Sequence, residues 1–381
     1  MHNRVLFVDD DPKILAAFRR QLRKTADIET VPSGPEGLDA IRNKGPFSVV
    51  VTDYCMPEMN GVEFLKRVQE IAPETVRMLL TGSADLNAAI EAVNQGNIFR
   101  FLTKPCTTEA LTDALLTGIK KYRRVHKERK FNQRTRRSLA QAMDIQQSLM
   151  PSAAPPVDGL DIAGRSIYCD QTGGDYYDYF EKNSAADPRV GIVVGDVSDH
   201  GLPSALLMTT ARAFIRESAH RGGSVSSIVG GVNRQLTRDV QASGRFMTLF
   251  YAEIDLPAKS IRWVRAGHDP GMLYDPGSGR FEELAGQGGL PLGVFEEAVY
   301  EEYHRELAPG QVIAIGTDGI WEARNGQGMM FGKPMLQKVI REHADRTSAE
   351  IVQQALEALK KFLFPLDIQD DATLVVVKVE R

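Results

Sequence analysis

Cysteine is scarce in this sequence. Among 381 residues there are three, Cys55, Cys106 and Cys169, none in a C-x-x-C pair. The odd count and wide spacing exclude a disulfide framework and a cysteine-rich zinc site, and they fit a reduced compartment. Long apolar runs are missing as well. No stretch reaches the roughly 18 apolar residues of a membrane span, and the short apolar run after "MHNR" is too brief for a signal segment. The expectation is a cytoplasmic chain without a membrane partner. A charge excess of one sign is also lacking: 46 Lys and Arg face 50 Asp and Glu, a net charge of −4. Such a balance gives no overall pull toward nucleic acid. The second half contains no G-x-S-x-G, H-E-x-x-H or P-loop pattern, so the common nucleophile, zincin and nucleotide-loop chemistries have no carrier there.

What is present is ordinary globular composition, 43% apolar and 25% charged. The length suits two or three domains of roughly 100–200 residues. The first ~120 residues alternate buried β-branched runs ("RVLFVDD", "FSVVVTD", "VRMLLTG", "IFRFLTKP") with amphipathic stretches ("PKILAAFRRQLRKTA", "GVEFLKRVQEIAP", "ADLNAAIEAVNQG"), the texture of an α/β fold. A long polar helix follows. Leu111, Leu115, Ile119, Tyr122 and Val125 recur at helical spacing, and the pattern resumes at Leu139, Met143, Gln146 and Leu149. Between them Lys120–Arg137 holds ten Lys or Arg against one Glu. With no aromatic interleaving, this reads as a solvated face rather than a nucleic-acid stripe. The broken a/d pattern is compatible with a homodimer formed through this helix. "MPSAAPP" ends it. From ~157 strand-like runs dominate, with helical runs between them, and the texture becomes α+β.

Carboxylates gather at predicted strand ends in the first part. Asp9 and Asp10 close the first strand, Asp53 a central one, and Lys104 the last, while Thr81 closes "LLT". In a parallel sheet these ends converge on one crevice. Clustered carboxylates call for a cation, and Mg²⁺ suits a site that also takes phosphoryl oxygens. With "VDDD", "VVVTDYCMPEMNG", "LLTG" and "FLTKP" in this order, residues 1–122 resemble the response-regulator receiver domain, a doubly wound five-stranded parallel sheet of flavodoxin-like type. The resemblance implies Asp53 as phosphoacceptor for a sensor histidine kinase. It implies Mg²⁺ held by Asp9, Asp10, Asp53 and the Cys55 carbonyl, phosphoryl contacts from Thr81 and Lys104, and Phe101 as the aromatic switch.

Four aspartates mark the second part: Asp175 in "GGDYYD", Asp196 in "GDVSDHG", Asp318 in "GTDGIWEARN" and Asp370 in "DDATLVVVKV". Each lies beside an apolar strand and a permissive turn, a placement from which carboxylates can ring a pair of metal ions. With "AGHDPGMLY" and "PLGV" in the same order, residues 157–381 resemble the SpoIIE/RsbU-type branch of the metal-dependent PPM protein phosphatases. The resemblance implies an αββα two-sheet sandwich. It implies two Mg²⁺ or Mn²⁺ ions held by Asp175, Asp196, the Val197 carbonyl, Asp318 and Asp370, with Asp196 and Asp318 central to attack by a metal-bridging water. It also implies a serine/threonine phosphatase whose substrate is a phosphorylated STAS-domain anti-sigma-factor antagonist.

Residues 123–156 would then form the helical linker through which the receiver controls the phosphatase. Two departures stand out. Asp199 replaces the usual glycine of "DVSGHG", adding a fifth carboxylate at a position where a positive φ would favour glycine. Asp269 stands where a neutral residue is usual and reads as a surface-loop residue. His200 and His268 fit either catalytic assistance or loop hydrogen bonding. Rival readings are an inactive phosphatase domain serving as a phosphorylation-controlled binding module, a diguanylate cyclase on the strength of "GGD" alone, and a DNA-binding regulator on the basic helix alone.

Overall fold

A computed structural model describes residues 3–82, 98–170, 172–184 and 187–380. They form two compact units, Met1–Arg136 and Arg137–Arg381.

In the first unit the elements are β1 (Arg4–Val8), α1 (Pro12–Leu22), β2 (Asp27–Val31), α2 (Gly34–Lys44), β3 (Val49–Asp53), α3 (Gly61–Ile71), β4 (Val76–Thr81), β5 (Arg100–Thr103) and the start of α4 (Thr108–Leu149). The sheet runs β2-β1-β3-β4-β5, all parallel. Both faces of β1 and β3 are covered, which is why they read as unbroken apolar runs. Leu6, Val8 and Val50 pack into one core with Leu38, Phe64 and Leu65; Val5, Phe7, Val49 and Val51 pack into the other with Leu15, Leu111 and Leu115. Asp11 caps α1 by accepting from the Lys13 amide, ahead of Pro12, and Asn60 caps α3 through the Glu63 amide. The run "ADLNAAIEAVNQG" lies outside the described residues.

The second unit holds β6 (Leu160–Ile167), β7 (Tyr176–Ser184), β8 (Asp187–Val197), α5 (Leu202–Arg221), α6 (Val225–Val240), β9 (Met247–Asp255), β10 (Ser260–Ala266), β11 (Gly271–Asp275), β12 (Arg280–Leu284), β13 (Tyr303–Glu306), β14 (Val312–Gly316), α7 (Asp318–Trp321), α8 (Gly332–Glu342), α9 (Ser348–Leu363) and β15 (Ala372–Val379). Two antiparallel sheets result, β13-β10-β9-β8-β7 and β12-β11-β14-β15-β6. Period-two alternation distributes their side chains. Val190, Ile192 and Val194 meet Ile313, Ile315, Val375 and Val377 between the sheets. Val193 and Val197 face outward onto Met208, Ile215, Val229 and Leu236 of α5 and α6. Ala314, Leu374 and Val376 face Leu336, Ile351, Leu356 and Leu359 of α8 and α9. The layers are therefore helix, sheet, sheet, helix. Tyr176 and Tyr177 divide between these layers. Both are buried, on opposite faces of β7, Tyr176 toward the helices and Tyr177 between the sheets.

Candidate functional site

In the first unit, the strand order reverses at β1, so the carboxyl ends of β1 and β3 border one crevice. Asp9, Asp10 and Asp53 meet there, each with a carboxylate oxygen within 4.8 Å of the others. Lys104, following β5, reaches across to Asp53 Oδ1 at 2.7 Å and Asp9 Oδ2 at 2.9 Å. The pair is unequal. Burial pushes the Asp53 carboxyl up despite the Lys104 contact. Burial works against the Lys104 charge, yet Asp53 and Asp9 outweigh it and hold the ammonium above its ordinary value. Thr81 is fully buried and its hydroxyl donates to the Gly82 carbonyl at 3.2 Å. Phe101 is partly buried against the α2–α3 core, and Cys55 is exposed.

In the second unit, Asp175 precedes β7, Asp196 lies near the end of β8, Asp318 starts α7 after β14, and Asp370 precedes β15. Antiparallel pairing brings these chain ends together although they are remote in sequence. Asp175 is 1% exposed. Its Oδ2 accepts from Thr317 Oγ1 at 2.8 Å and Thr373 Oγ1 at 2.6 Å; its buried Oδ1 has no hydrogen-bond partner. Asp196 is pushed up to about 8, first by burial and then by the charges of Asp318 and Asp370. Burial, then Asp196, holds Asp175 well above the usual carboxylate range, and burial, then Asp370, raises Asp318. No Lys or Arg forms an ion pair with any of these four among the described residues. Asp175 is buried and Asp196 half-buried, whereas Asp318 and Asp370 face solvent; repelling carboxylates of this kind, with one orphaned buried oxygen, are oxygen donors that suit hard divalent cations.

Close backbone approach, rather than unusual dihedrals, explains the neighbouring glycines. A Cβ on Gly174 would stand 2.8 Å from the Val197 carbonyl oxygen, and one on Gly319 would stand 1.9 Å from the Asp371 carbonyl oxygen. The Val197 carbonyl thus faces the turn that carries Asp175. Asp371, neighbour of the expected ligand Asp370, is taken by the backbone: its carboxylate accepts from the Cys169 amide at 2.9 Å and the Gly174 amide at 2.7 Å. A cavity of about 260 Å³ adjoins Asp318 and Asp370, with Glu322, Arg324 and Gln369 on its wall.

Asp199 does adopt a positive φ, +66°. Its carboxylate is 70% exposed and lies 3.7 Å from Arg245 Nε. Asp269 forms an ion pair with Lys333 at 3.0 Å. His268 is buried: Nε2 meets the Gly316 carbonyl at 3.1 Å and Nδ1 the Thr248 hydroxyl at 2.8 Å. Burial lowers its pKa to about 4, so it is a neutral bracing residue. His200 is exposed. Sequence reading missed the hydroxyl cradle of Thr317 and Thr373 and the backbone clamp of Asp371. Threonine in a strand is commonplace, and a paired "DD" does not disclose which carboxylate turns inward.

Residues 186–380 match the family model described as Stage II sporulation protein E (SpoIIE). That is half of the chain. This chain belongs to the SpoIIE family. Residues 5–116 match the response regulator receiver domain. Asp175 precedes the matched SpoIIE segment, so its place in the site rests on the contacts above. The phosphoserine phosphatase RsbU of Bacillus subtilis is 31% identical over 237 residues, 62% of this chain and 68% of that protein. The phosphoserine phosphatase RsbP of the same organism is 24% identical over 255 residues, covering 66% of this chain and 60% of that one. Among solved structures, the SiaA-PP2C domain of Pseudomonas aeruginosa superimposes with a TM-score of 0.56 at 24% identity, over 65% of this chain and 98% of that one. This last likeness concerns the fold. The SpoIIE-type unit thus follows a receiver in one chain, and the two relatives named here are phosphoserine phosphatases.

Proposed function

We propose that this chain is a two-component response regulator whose receiver, phosphorylated on Asp53 by a sensor histidine kinase, controls a metal-dependent protein serine/threonine phosphatase. The observation that carries the phosphatase reading is the buried Asp175 carboxylate. One of its oxygens is locked by two threonines and the other is bare, beside an Asp196 that burial and like charge keep from ionising alone. Asp175, Asp196, Asp318, Asp370 and the Val197 carbonyl would hold two Mg²⁺ or Mn²⁺ ions. Bound there, such a pair supplies neutralisation of phosphoryl charge and acidification of water. Thr317 and Thr373 fix the rotamer of Asp175, and Asp371 fixes the turn beneath it. In the receiver Asp53 is the acceptor carboxylate, with Lys104 already on its Oδ1, and Asp9, Asp10 and the Cys55 carbonyl complete the Mg²⁺ site. Thr81 turns from the Gly82 carbonyl to the phosphoryl group, and Phe101 follows.

The substrate we assign is a phosphoserine or phosphothreonine on a STAS-domain anti-sigma-factor antagonist, the class the family resemblance implies. The inactive-module reading gains no support from Asp199, whose exposed carboxylate is directed at Arg245. The test is hydrolysis of candidate phospho-STAS proteins with Mn²⁺, with and without beryllofluoride, in the wild-type chain, Asp53→Ala and Asp196→Asn. We expect Asp196→Asn to lose at least ~100-fold in rate and Asp53→Ala to lose the beryllofluoride response. Hydrolysis that survives Asp196→Asn would refute the catalytic assignment; equal rates with and without beryllofluoride would refute receiver control.

A further inference from the structure

From Lys120 to Leu149 the helix α4 has a single buried residue, and that residue is polar: Gln146, 4% exposed. Its neighbours Ile145 and Gln147 are exposed. Gln146 uses both ends of its amide on one target. Nε2 donates to the Gly173 carbonyl at 2.6 Å, and Oε1 accepts from the Gly173 amide at 3.2 Å. A side-chain amide paired in this way imitates a strand partner and fixes a peptide in two directions. Gly173 stands two residues before Asp175. The next amide, Gly174, is held by Asp371, and Gly174 in turn abuts the Val197 carbonyl. The turn has no slack: a Cβ on Gly173 would lie 2.0 Å from Tyr168 and 2.4 Å from Asp371 Oδ2. The Asp175 turn is therefore fastened from two sides, by Asp371 at the head of a sheet strand and by Gln146 on the last turns of α4.

A buried polar residue on a helical stretch with no buried apolar side chain from Lys120 to Leu149 is poor design for mere adhesion, because an apolar side chain would anchor the helix without needing a matched partner. We infer that Gln146 is a positioning residue for the metal-ligand turn, through which the last turns of α4 decide whether Asp175 is presented to the cation pair. The inference rests on the proposed phosphatase site.

The test measures Mn²⁺ binding rather than turnover, by titration calorimetry on the full chain well below its melting temperature. Subtracting the Asp196→Asn variant removes the contribution of the receiver acids. Gln146→Leu keeps the volume and removes both bonds, and we expect the subtracted Mn²⁺ dissociation constant to rise about 10-fold. Gln146→Glu keeps an acceptor for the Gly173 amide but sets a carboxylate against the Gly173 carbonyl, and should fall between. Amide hydrogen exchange at Gly173 and Gly174 should quicken in Gln146→Leu. Leu359→Ala, a core truncation in α9, serves as a control that lowers the melting temperature while leaving Mn²⁺ affinity unchanged. Wild-type Mn²⁺ affinity in folded Gln146→Leu would overturn the inference and leave the phosphatase site standing, as would an equal loss in Leu359→Ala. No difference between the wild-type chain and Asp196→Asn would instead overturn the site reading, and this inference with it.

Discussion

The two acidic sites of this chain solve one electrostatic problem in opposite ways. In the receiver, three carboxylates converge within 4.8 Å, and the protein supplies its own cation, Lys104, spanning Asp9 and Asp53. In the SpoIIE-type unit, Asp175, Asp196, Asp318 and Asp370 have no ion-paired Lys or Arg among the described residues. Their compensation is two threonine hydroxyls and protons, hence the raised positions of Asp175 and Asp196. On the proposed reading, the resident ammonium suits the receiver site to intermittent, reversible occupation by a phosphoryl group. The acids of the second site would need divalent cations for their ionised form, and stability there should follow those ions.

The largest effect expected from this contrast concerns pH and metal in the phosphatase unit. Asp196 is raised in the folded state to about 8 from an ordinary 3.8. A raised carboxyl binds more protons folded than unfolded between those values. Its contribution is thus intact below the unfolded pKa and is lost as pH rises through the folded one, a loss on the order of a few kcal/mol. The chain stripped of divalent ions should therefore melt at progressively lower temperature from pH 5 to pH 8. Mn²⁺ should restore stability most at the alkaline end, and Asp196→Asn should flatten both trends. Thermal unfolding across that range, with chelator or with Mn²⁺, checks this; an unchanged slope in Asp196→Asn would break the comparison.

The second effect converts one site into the other. Lys104→Ala leaves Asp9 and Asp53 facing each other without their cation. Breaking a fully buried pair costs about 3–5 kcal/mol, but the Lys104 side chain is 29% exposed, and solvent screening reduces the expected loss to about 1–2 kcal/mol. The variant should gain more stability from added Mg²⁺ than the wild-type receiver, because the ion no longer competes with the ammonium. Denaturant unfolding of both proteins, with and without Mg²⁺, measures this, and an equal Mg²⁺ gain would show that Lys104 is not the resident counter-charge.

How far each site was legible in the sequence follows the same division. Receiver chemistry lies at ends of apolar strands in a parallel sheet, so Asp9, Asp53, Thr81 and Lys104 announce themselves by position. The phosphatase aspartates were legible as acids beside glycine turns, but what tunes them was not. Thr317 and Thr373 look like ordinary strand-edge residues, and Asp371 differs from Asp370 only by which way the strand turns. Gln146 passed as one more member of a helical stripe. Among elements, β2 was overlooked because "DIETV" is an edge strand with one buried residue. β12 and β13 were overlooked because "RFEEL" and "YHRE" are mostly solvent-facing. Central strands betray themselves by apolarity, and edges do not.

Asp199 offers the smallest effect and the finest test of the contrast, since it adds a carboxylate to the same sequence motif as Asp196 but turns it toward Arg245. The backbone there has φ +66°, a region that glycine enters freely and aspartate at a cost of up to about 1 kcal/mol. Against this stands the ion pair with Arg245, 3.7 Å long and largely exposed on the Asp199 side, worth about 0–1 kcal/mol. Asp199→Gly exchanges one small term for the other, so unfolding free energy should shift by less than about 1 kcal/mol. Mn²⁺ affinity should stay within about 3-fold of wild type, because the Asp199 carboxylate faces Arg245 rather than the acid ring. Calorimetric Mn²⁺ titration of Asp199→Gly decides the matter: a loss beyond about 10-fold would make Asp199 a fifth ligand, and the phosphatase site would then hold its cations with a donor that the glycine-bearing pattern of its family lacks.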